Sequence, residues 1–378
     1  MIAPYLPLCD YEPRHVIQGL GDLIPRVQWR DSMRRNSMRR NSMKALVWRK
    51  DIGLEEWEQP QAREGEVLVR IGAAAICGSD LTILAGKHPR ARPPRILGHE
   101  FMGTVAGLGE DVDTAPGRGD RVVVEPLLSC KRCTPCRAGH EHVCRNLKLL
   151  GIEADGGFAE YVCAPAERVY PVPDSVSDEE AAIIEPTAVA VHAVNYGGIR
   201  GGERVAIIGA GPVGLLIAQV ARAAGVEDLW LFETNPFRLE LVQRLGFHGI
   251  NPEEEDAVEA TLRLTRGEGA EVTFDAAGVP ASGAQVISMT GIRGRIVMVA
   301  IHKKPCEVAF QDLSYREQVI TGLRIYAKGD FSRAIELVSS GRVRLKPLIT
   351  QVFALDDGVR AFELARRGSD SCKIVIKP

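Results

Sequence analysis

The sequence predicts an α/β protein of two unlike domains, one mostly β and one a doubly wound parallel sheet. Two textures and one motif carry that prediction. From Met43 to about Val172, short β-rich runs such as Lys44–Trp48, Val67–Ile71 and Arg121–Val124 are broken by glycine and proline, with little helical periodicity. From about Arg204, strand-like and helix-like stretches alternate regularly. Gly209-Ala210-Gly211-Pro212-Val213-Gly214 sits between one such strand and the helix after it.

Val205–Ile208 reads as a short apolar strand, followed by a helix over Pro212–Ala224 that Gly225 closes. Leu229–Phe232 and a helix over Pro236–Leu245 repeat the unit. Val272–Phe274 and Arg295–Val299 read as further strands, with helices near Asp256–Thr265 and Pro280–Met289. Beyond Thr321, helical segments at Phe331–Ser339 and Gly358–Arg366 and a strand at Lys373–Ile376 are expected to return to the first domain. Residues 1–42 contain the near-repeat Asp31–Met43 and no apolar periodicity, so they are expected to form a disordered or extraneous arm. The expected division is therefore 43–184 completed by 322–378, with 185–321 as the parallel-sheet domain.

A formal charge of −2 gives no global pull toward nucleic acid or an anionic membrane. No apolar run approaches the roughly 20 residues needed to span a bilayer. Nine cysteines in a large chain without a secretory apolar region point to a reducing, cytoplasmic setting. A small-molecule partner is expected, with no nucleic acid and no membrane.

Cys130, Cys133, Cys136 and Cys144 lie on one short segment. Four soft thiolates can close a tetrahedral Zn²⁺ site and leave no position for substrate, which makes such a site structural. Reduced, metal-free cysteines and an iron–sulfur cluster are the alternatives. A second, dispersed set comprises Cys77-Gly78-Ser79-Asp80, Gly98-His99-Glu100 and Ile184-Glu185-Pro186. One thiolate, one imidazole and one or two carboxylates make an open metal site, with Ser79 close enough to relay a proton. On spacing alone, Cys77 as a core thiol, His99 as a loop histidine and Glu185 as a helix-cap carboxylate serve equally well. In the glycine motif, Gly209 permits the turn, Gly211 lets backbone approach a pyrophosphate and Gly214 allows close helix–strand contact. Glu233, about 20 residues on, suits ribose hydroxyls and opposes a 2′-phosphate, which favours NAD; Arg238 weakens that preference.

With Gly119-Asp120-Arg121-Val122, the four-cysteine segment, Gly156-Gly157-Phe158-Ala159-Glu160-Tyr161 and Glu185-Pro186-Thr187-Ala188-Val189-Ala190 in this order, the chain resembles the zinc-containing medium-chain dehydrogenases. Within them it is similar to the butanediol, sorbitol and threonine dehydrogenase group. The resemblance implies a GroES-like catalytic domain joined to a Rossmann domain, in a homo-oligomer (dimer or tetramer). It implies two zinc ions per subunit, with Cys77 and His99 as catalytic-zinc ligands and Glu100 and Glu185 as the carboxylates beside them. Ser79, Glu100 and Glu185 are the implied catalytic groups. Pro212, Val213 and Gly214 would lie under the pyrophosphate, Lys373 would face the cofactor phosphates and Tyr326 would line the substrate pocket. Relatives often carry a relay histidine five residues after the ligand cysteine; here Thr82 stands there, with His88 as the possible substitute. The implied reaction moves a hydride between a secondary alcohol, a diol or polyol such as 2,3-butanediol or a sorbitol-like substrate, and NAD. L-Threonine 3-dehydrogenase and a non-catalytic NAD- and zinc-binding protein are the rival readings.

Overall fold

The computed structural model describes residues 42–112 and 116–378. The expected N-terminal arm lies outside the described residues except for Ser42, which opens the first strand. In chain order come β1 (Ser42–Trp48), β2 (Ile52–Glu58), β3 (Glu66–Ala75), α1 (Gly78–Leu84), β4 (Arg95–Ile96), β5 (Glu100–Leu108), β6 (Arg121–Val124) and β7 (Leu127–Leu128). Then follow α2 (Thr134–Arg137), β8 (Lys148–Leu149), β9 (Tyr161–Pro165), β10 (Val169–Pro171), α3 (Asp178–Ala181) and α4 (Ile184–Tyr196). The parallel-sheet portion runs β11 (Val205–Ile208), α5 (Pro212–Ala223), β12 (Leu229–Phe232), α6 (Pro236–Arg244), β13 (His248–Ile250), α7 (Ala257–Leu264), β14 (Ala270–Asp275), α8 (Pro280–Met289), β15 (Thr290–Met298), α9 (Phe310–Tyr315) and β16 (Val319–Gly322). The chain closes with α10 (Asp330–Ser339), β17 (Ile349–Ala354), α11 (Gly358–Arg367) and β18 (Lys373–Lys377).

The first portion is built on a sheet of order β10-β6-β5-β3-β18-β17, with β9 also paired to β3. Val67, Val69 and Ile71 alternate inward along β3, the two-residue period of a strand with one face on the core. Closing strands β17 and β18 from the far end of the sequence complete this sheet. The second portion is a parallel sheet, β13-β12-β11-β14-β15-β16. All four residues of β11 and all four of β12 are buried, because helices cover both faces and alternation is therefore absent.

Two connections place the functional groups. Antiparallel register sets Ala75 of β3 opposite both Glu100 of β5 and Val375 of β18. Cys77, Glu100 and Lys373 thereby meet at one end of the sheet. The helix α4 carries Glu185 in its first turn and leads into the parallel sheet. It is pinned to α10 by His192, whose Nδ1 lies 2.7 Å from Asp330 Oδ2, and by Asn195, which donates to the other Asp330 oxygen at 2.9 Å. No described helix is long and apolar enough to cross a membrane.

Candidate active site and metal centres

At the end of β3 the chain turns into α1 with Cys77 as the N-cap residue, and the buried Asp80 carboxylate accepts the Cys77 backbone N–H at 2.9 Å. This fixes the thiol at the mouth of the first turn. Gly98, just before His99, has φ of 94°, and a Cβ there would come within 2.8 Å of the Phe158 ring. Only glycine allows that approach, which delivers His99 to the same corner. The ligand atoms of Cys77, His99 and Glu100 all lie within 4.8 Å of one another. Ser79 Oγ is 3.2 Å from His99 Nε2. His99 Nδ1 and Asp80 Oδ1, 3.7 Å apart, are both buried without a hydrogen bond.

The electrostatics of this corner call for a cation. Burial opposes a charged His99, yet the Cys77 thiol and Asp80 hold its pKa well above the usual histidine value. Burial, reinforced by Glu100, pushes Glu185 up to about 7. A half-buried thiol converging with buried imidazole and carboxylate donors fits Zn²⁺, and the donor set is short of four protein ligands, as an open site requires.

Lys373 lines the cleft together with Pro212 and Arg238. Its ammonium is 3% exposed and donates to both oxygens of Glu100, itself fully buried, and to Ile76 O at 3.4 Å. The physical reason is the register: β18 runs alongside β3, so the first residue of β18 faces the metal corner. Tyr326 is fully buried, packs edge-on against Phe331 at 5.5 Å and sets its hydroxyl near Glu185, with no hydrogen-bond partner among the described residues.

Cys130, Cys133, Cys136 and Cys144 come together with all four sulfurs within 4.8 Å. Backbone N–H groups of Cys130 and Asn146 donate to Cys144 Sγ at 3.3 Å each. Backbone amides of Arg132 and Cys133 hold Cys130 down to about 6, while burial and the neighbouring cysteines push Cys136 up to about 12. Four thiols with amide donors to their sulfurs fit a closed zinc site.

In the parallel sheet, Gly211 caps α5 and Pro212 opens it, a position where the missing N–H costs nothing. A Cβ on Gly214 would stand 1.9 Å from Gly209 O, so the helix packs onto the turn through bare backbone. Glu233 follows β12. Its carboxylate accepts N–H groups from Ala210 at 2.9 Å and from Thr234 and Asn235 at 3.0 Å, tying it to the glycine turn. Arg238 Nη1 lies 3.7 Å from Glu233, and its buried Nε has no partner. A cleft of about 140 Å³ joins the two portions; Cys77, Gly78, Leu81, Pro212 and Arg238 line it. Val213, partly buried, stands beside Pro212 in the first turn of α5.

Sequence reasoning missed the contact across the cleft. Lys303 Nζ donates to Thr82 Oγ1 at 3.1 Å, and Thr82 donates onward to Gly78 O at 3.0 Å. The two residues are 221 positions apart, and no local spacing signals them. His88 directs Nδ1 at its own loop, accepting from Arg90 and Ala91 N–H.

A metal corner opening on a dinucleotide-type cleft defines a metal-dependent oxidoreductase. Residues 63–174 match the alcohol dehydrogenase GroES-like domain, and residues 212–340 match the zinc-binding dehydrogenase family. The 2-dehydro-3-deoxy-L-galactonate 5-dehydrogenase of Pseudoalteromonas atlantica is 38% identical, over 80% of this chain and 88% of that protein. The (R,R)-butanediol dehydrogenase of Bacillus subtilis is 33% identical, over 89% and 99% respectively. The crystal structure of the alcohol dehydrogenase RspB from Escherichia coli CFT073, complexed with NADH, superposes with a TM-score of 0.84 at 31% identity, covering 89% of this chain and all of that one. The chain belongs to the zinc-containing medium-chain dehydrogenase/reductase family, oxidoreductases acting on CH–OH donors. Its fold is a GroES-like domain joined to a Rossmann-type domain.

Proposed function

We propose that the chain oxidises a secondary alcohol bearing a neighbouring hydroxyl, a diol or polyol, to the ketone with NAD. The observation that carries this reading is a second buried carboxylate, Glu185, beside the Cys77–His99–Glu100 group. Cys77 and His99 would hold the zinc, with a carboxylate completing the set. Lys373 already occupies both Glu100 oxygens, which leaves Glu185 as the carboxylate able to meet substrate. When bound, zinc supplies Lewis-acid polarisation of the substrate oxygen and NAD accepts the hydride. Ser79 takes the hydroxyl proton while passing its own outward, and Thr82, on the same helix and under Lys303, is the outer group of this proposed route. Glu185 accepts a hydrogen bond from the neighbouring hydroxyl.

A site built around such an acceptor rejects an analogue lacking the donor by up to about 10⁴-fold when the acceptor is buried. The test is kcat/KM for 2,3-butanediol, 2-butanol and 1-butanol at fixed NAD. The diol should lead, and Glu185→Gln should narrow its lead over 2-butanol; 1-butanol matching the diol would refute the reading. The relatives named for a deoxy-keto-galactonate and for butanediol support a hydroxyl-bearing chain as substrate.

The preference for NAD rests on Glu233, whose amide-anchored charge lies at the end of β12 and repels a 2′-phosphate. Wild-type kcat/KM should favour NAD over NADP by at least about tenfold, or 1.4 kcal/mol. Glu233→Ala should shrink that ratio; equal use of both cofactors by the wild type would defeat the assignment. We extend the proposal to a homo-oligomer, because β16 is an edge strand with Val319 exposed and Phe310 and Tyr315 exposed on the preceding α9.

A further inference from the structure

One face of α4 meets both metal centres. The helix packs on β5, the strand that opens with Glu100. Glu185 lies buried in its first turn, and His192 follows seven residues on. Seven residues make nearly two turns, so both side chains belong to one stripe, about 10 Å apart along the axis. The His192 ring stands edge-on to that of His142, with centroids 5.2 Å apart at 73°. His142 belongs to the four-cysteine lobe, two residues before Cys144, and is buried. Its Nδ1 has no hydrogen-bond partner among the described residues, so this contact is one of ring packing.

The lobe that carries His142 is itself clamped. Its neighbour Glu141 pairs with Arg168, whose Nη1 also donates to Glu125 Oε1 at 2.6 Å. Tyr170 donates to the other Glu125 oxygen at 2.8 Å. Glu125 follows β6 and Tyr170 lies in β10, so this cluster ties the lobe to the main sheet. The Tyr170 ring lies 5.1 Å from that of Phe331, which follows Asp330 on α10. Asp330 in turn holds the Nδ1 side of His192. The lobe therefore reaches the α4–α10 pair from two sides, through His142 on one helix and through Tyr170 on the other. Close-packed contacts resist displacement, so a helix held at its third turn is fixed at its first.

We propose that His142 is a positioning residue: through His192 it holds α4, and with it Glu185, in place against the catalytic corner. This rests on the reading of Glu185 as the carboxylate that meets substrate, and adds what sets its position. The four-cysteine lobe thereby gains a task besides its own folding, as the wall on which the catalytic helix rests. Because the contact is ring against ring, shape matters at position 142 and the imidazole nitrogens do not.

The test compares His142→Ala, which removes the ring, with His142→Phe, which keeps an aromatic edge. Elemental analysis should return two ions per chain for both, since neither change touches a ligand. In His142→Ala the kcat/KM lead of 2,3-butanediol over 2-butanol should fall about tenfold, because a displacement near 1 Å costs up to about 10²-fold. His142→Phe should restore most of it. In a Glu185→Gln background, His142→Ala should change the lead less than about twofold, since the carboxylate it positions is gone. The same loss in both backgrounds would mark a purely structural role and overturn the proposal. A readout without turnover uses zinc in the lobe and cobalt(II) at the Cys77–His99 corner. Its visible d–d bands should shift in His142→Ala and stay in place in His142→Phe. Unshifted bands with a wild-type diol lead in His142→Ala, or loss of an ion from that variant, would also overturn the proposal. If the wild type shows no diol lead at all, the substrate reading fails, and the cobalt bands alone decide whether His142 holds the corner.

Discussion

Lys373→Met should destabilise the metal-free chain by about 3–5 kcal/mol, the usual result of removing one partner from a buried ion pair. Glu100 is fully buried and Lys373 is 3% exposed, so water cannot replace the lost ammonium. Burial acts against the charged lysine, but Glu100 and the Cys77 thiol outweigh it and hold the ammonium charged. Adding Glu100→Gln to Lys373→Met should recover much of the loss, since no uncompensated charge then remains. Zinc at Cys77 and His99 would also offset the stranded carboxylate, so the deficit should be smaller in loaded protein than after chelation. Chemical denaturation of the single and double variants, with and without zinc, measures all three effects. A deficit below about 1 kcal/mol in chelated Lys373→Met would mean that the pair has no structural role.

Cys77→Ala and Cys133→Ser should each lower the zinc content from two ions per chain to one, with opposite consequences. Cys77 lies at the cleft between the two portions, and losing its ligand removes several kcal/mol of charge stabilisation at the reacting oxygen. That corresponds to a drop of about 10³-fold or more in kcat/KM with the fold retained. Cys133 closes a lobe that holds little apolar core of its own, with its sulfur 3.3 Å from Cys136 Sγ and 3.8 Å from Cys144 Sγ. There the metal is the cross-link, and its loss should lower the melting temperature by about 10 °C or more. Elemental analysis with circular dichroism and rate measurement distinguishes the cases. Full activity in Cys77→Ala, or an unshifted melting curve in Cys133→Ser, would refute the respective role.

The parallel sheet could be read closely from the sequence because its signals are local. Val205–Ile208 and Leu229–Phe232 are strands over those same residues, and Pro236 and Pro280 each open the expected helix. The short β13 and β16 were not expected: His248-Gly249-Ile250 is too brief for a pattern, and β16 is largely exposed. Nor was β5, whose run Glu100–Leu108 is interrupted by Gly103 and Gly107. In the site, spacing signalled the four-cysteine cluster, whereas it left Cys77 and His99 open and only the family resemblance pointed to them as ligands. Lys373 shows the limit. A lysine opening an apolar strand signals either an exposed end or a buried pair, and only the register of β18 against β3 decides between them.

The two metal clusters also differ in when they can exist. The four cysteines lie within 14 positions, so their lobe can close around zinc as soon as that stretch of chain is available. The catalytic corner needs Glu100 joined to Lys373, 273 positions away, on the strand that follows all the others. Contacts of such long sequence separation form late, after the loops between them have been ordered. On refolding with zinc, the four-cysteine lobe is therefore expected to close before the Glu100–Lys373 pair forms, so that metal uptake at the lobe should precede the recovery of activity.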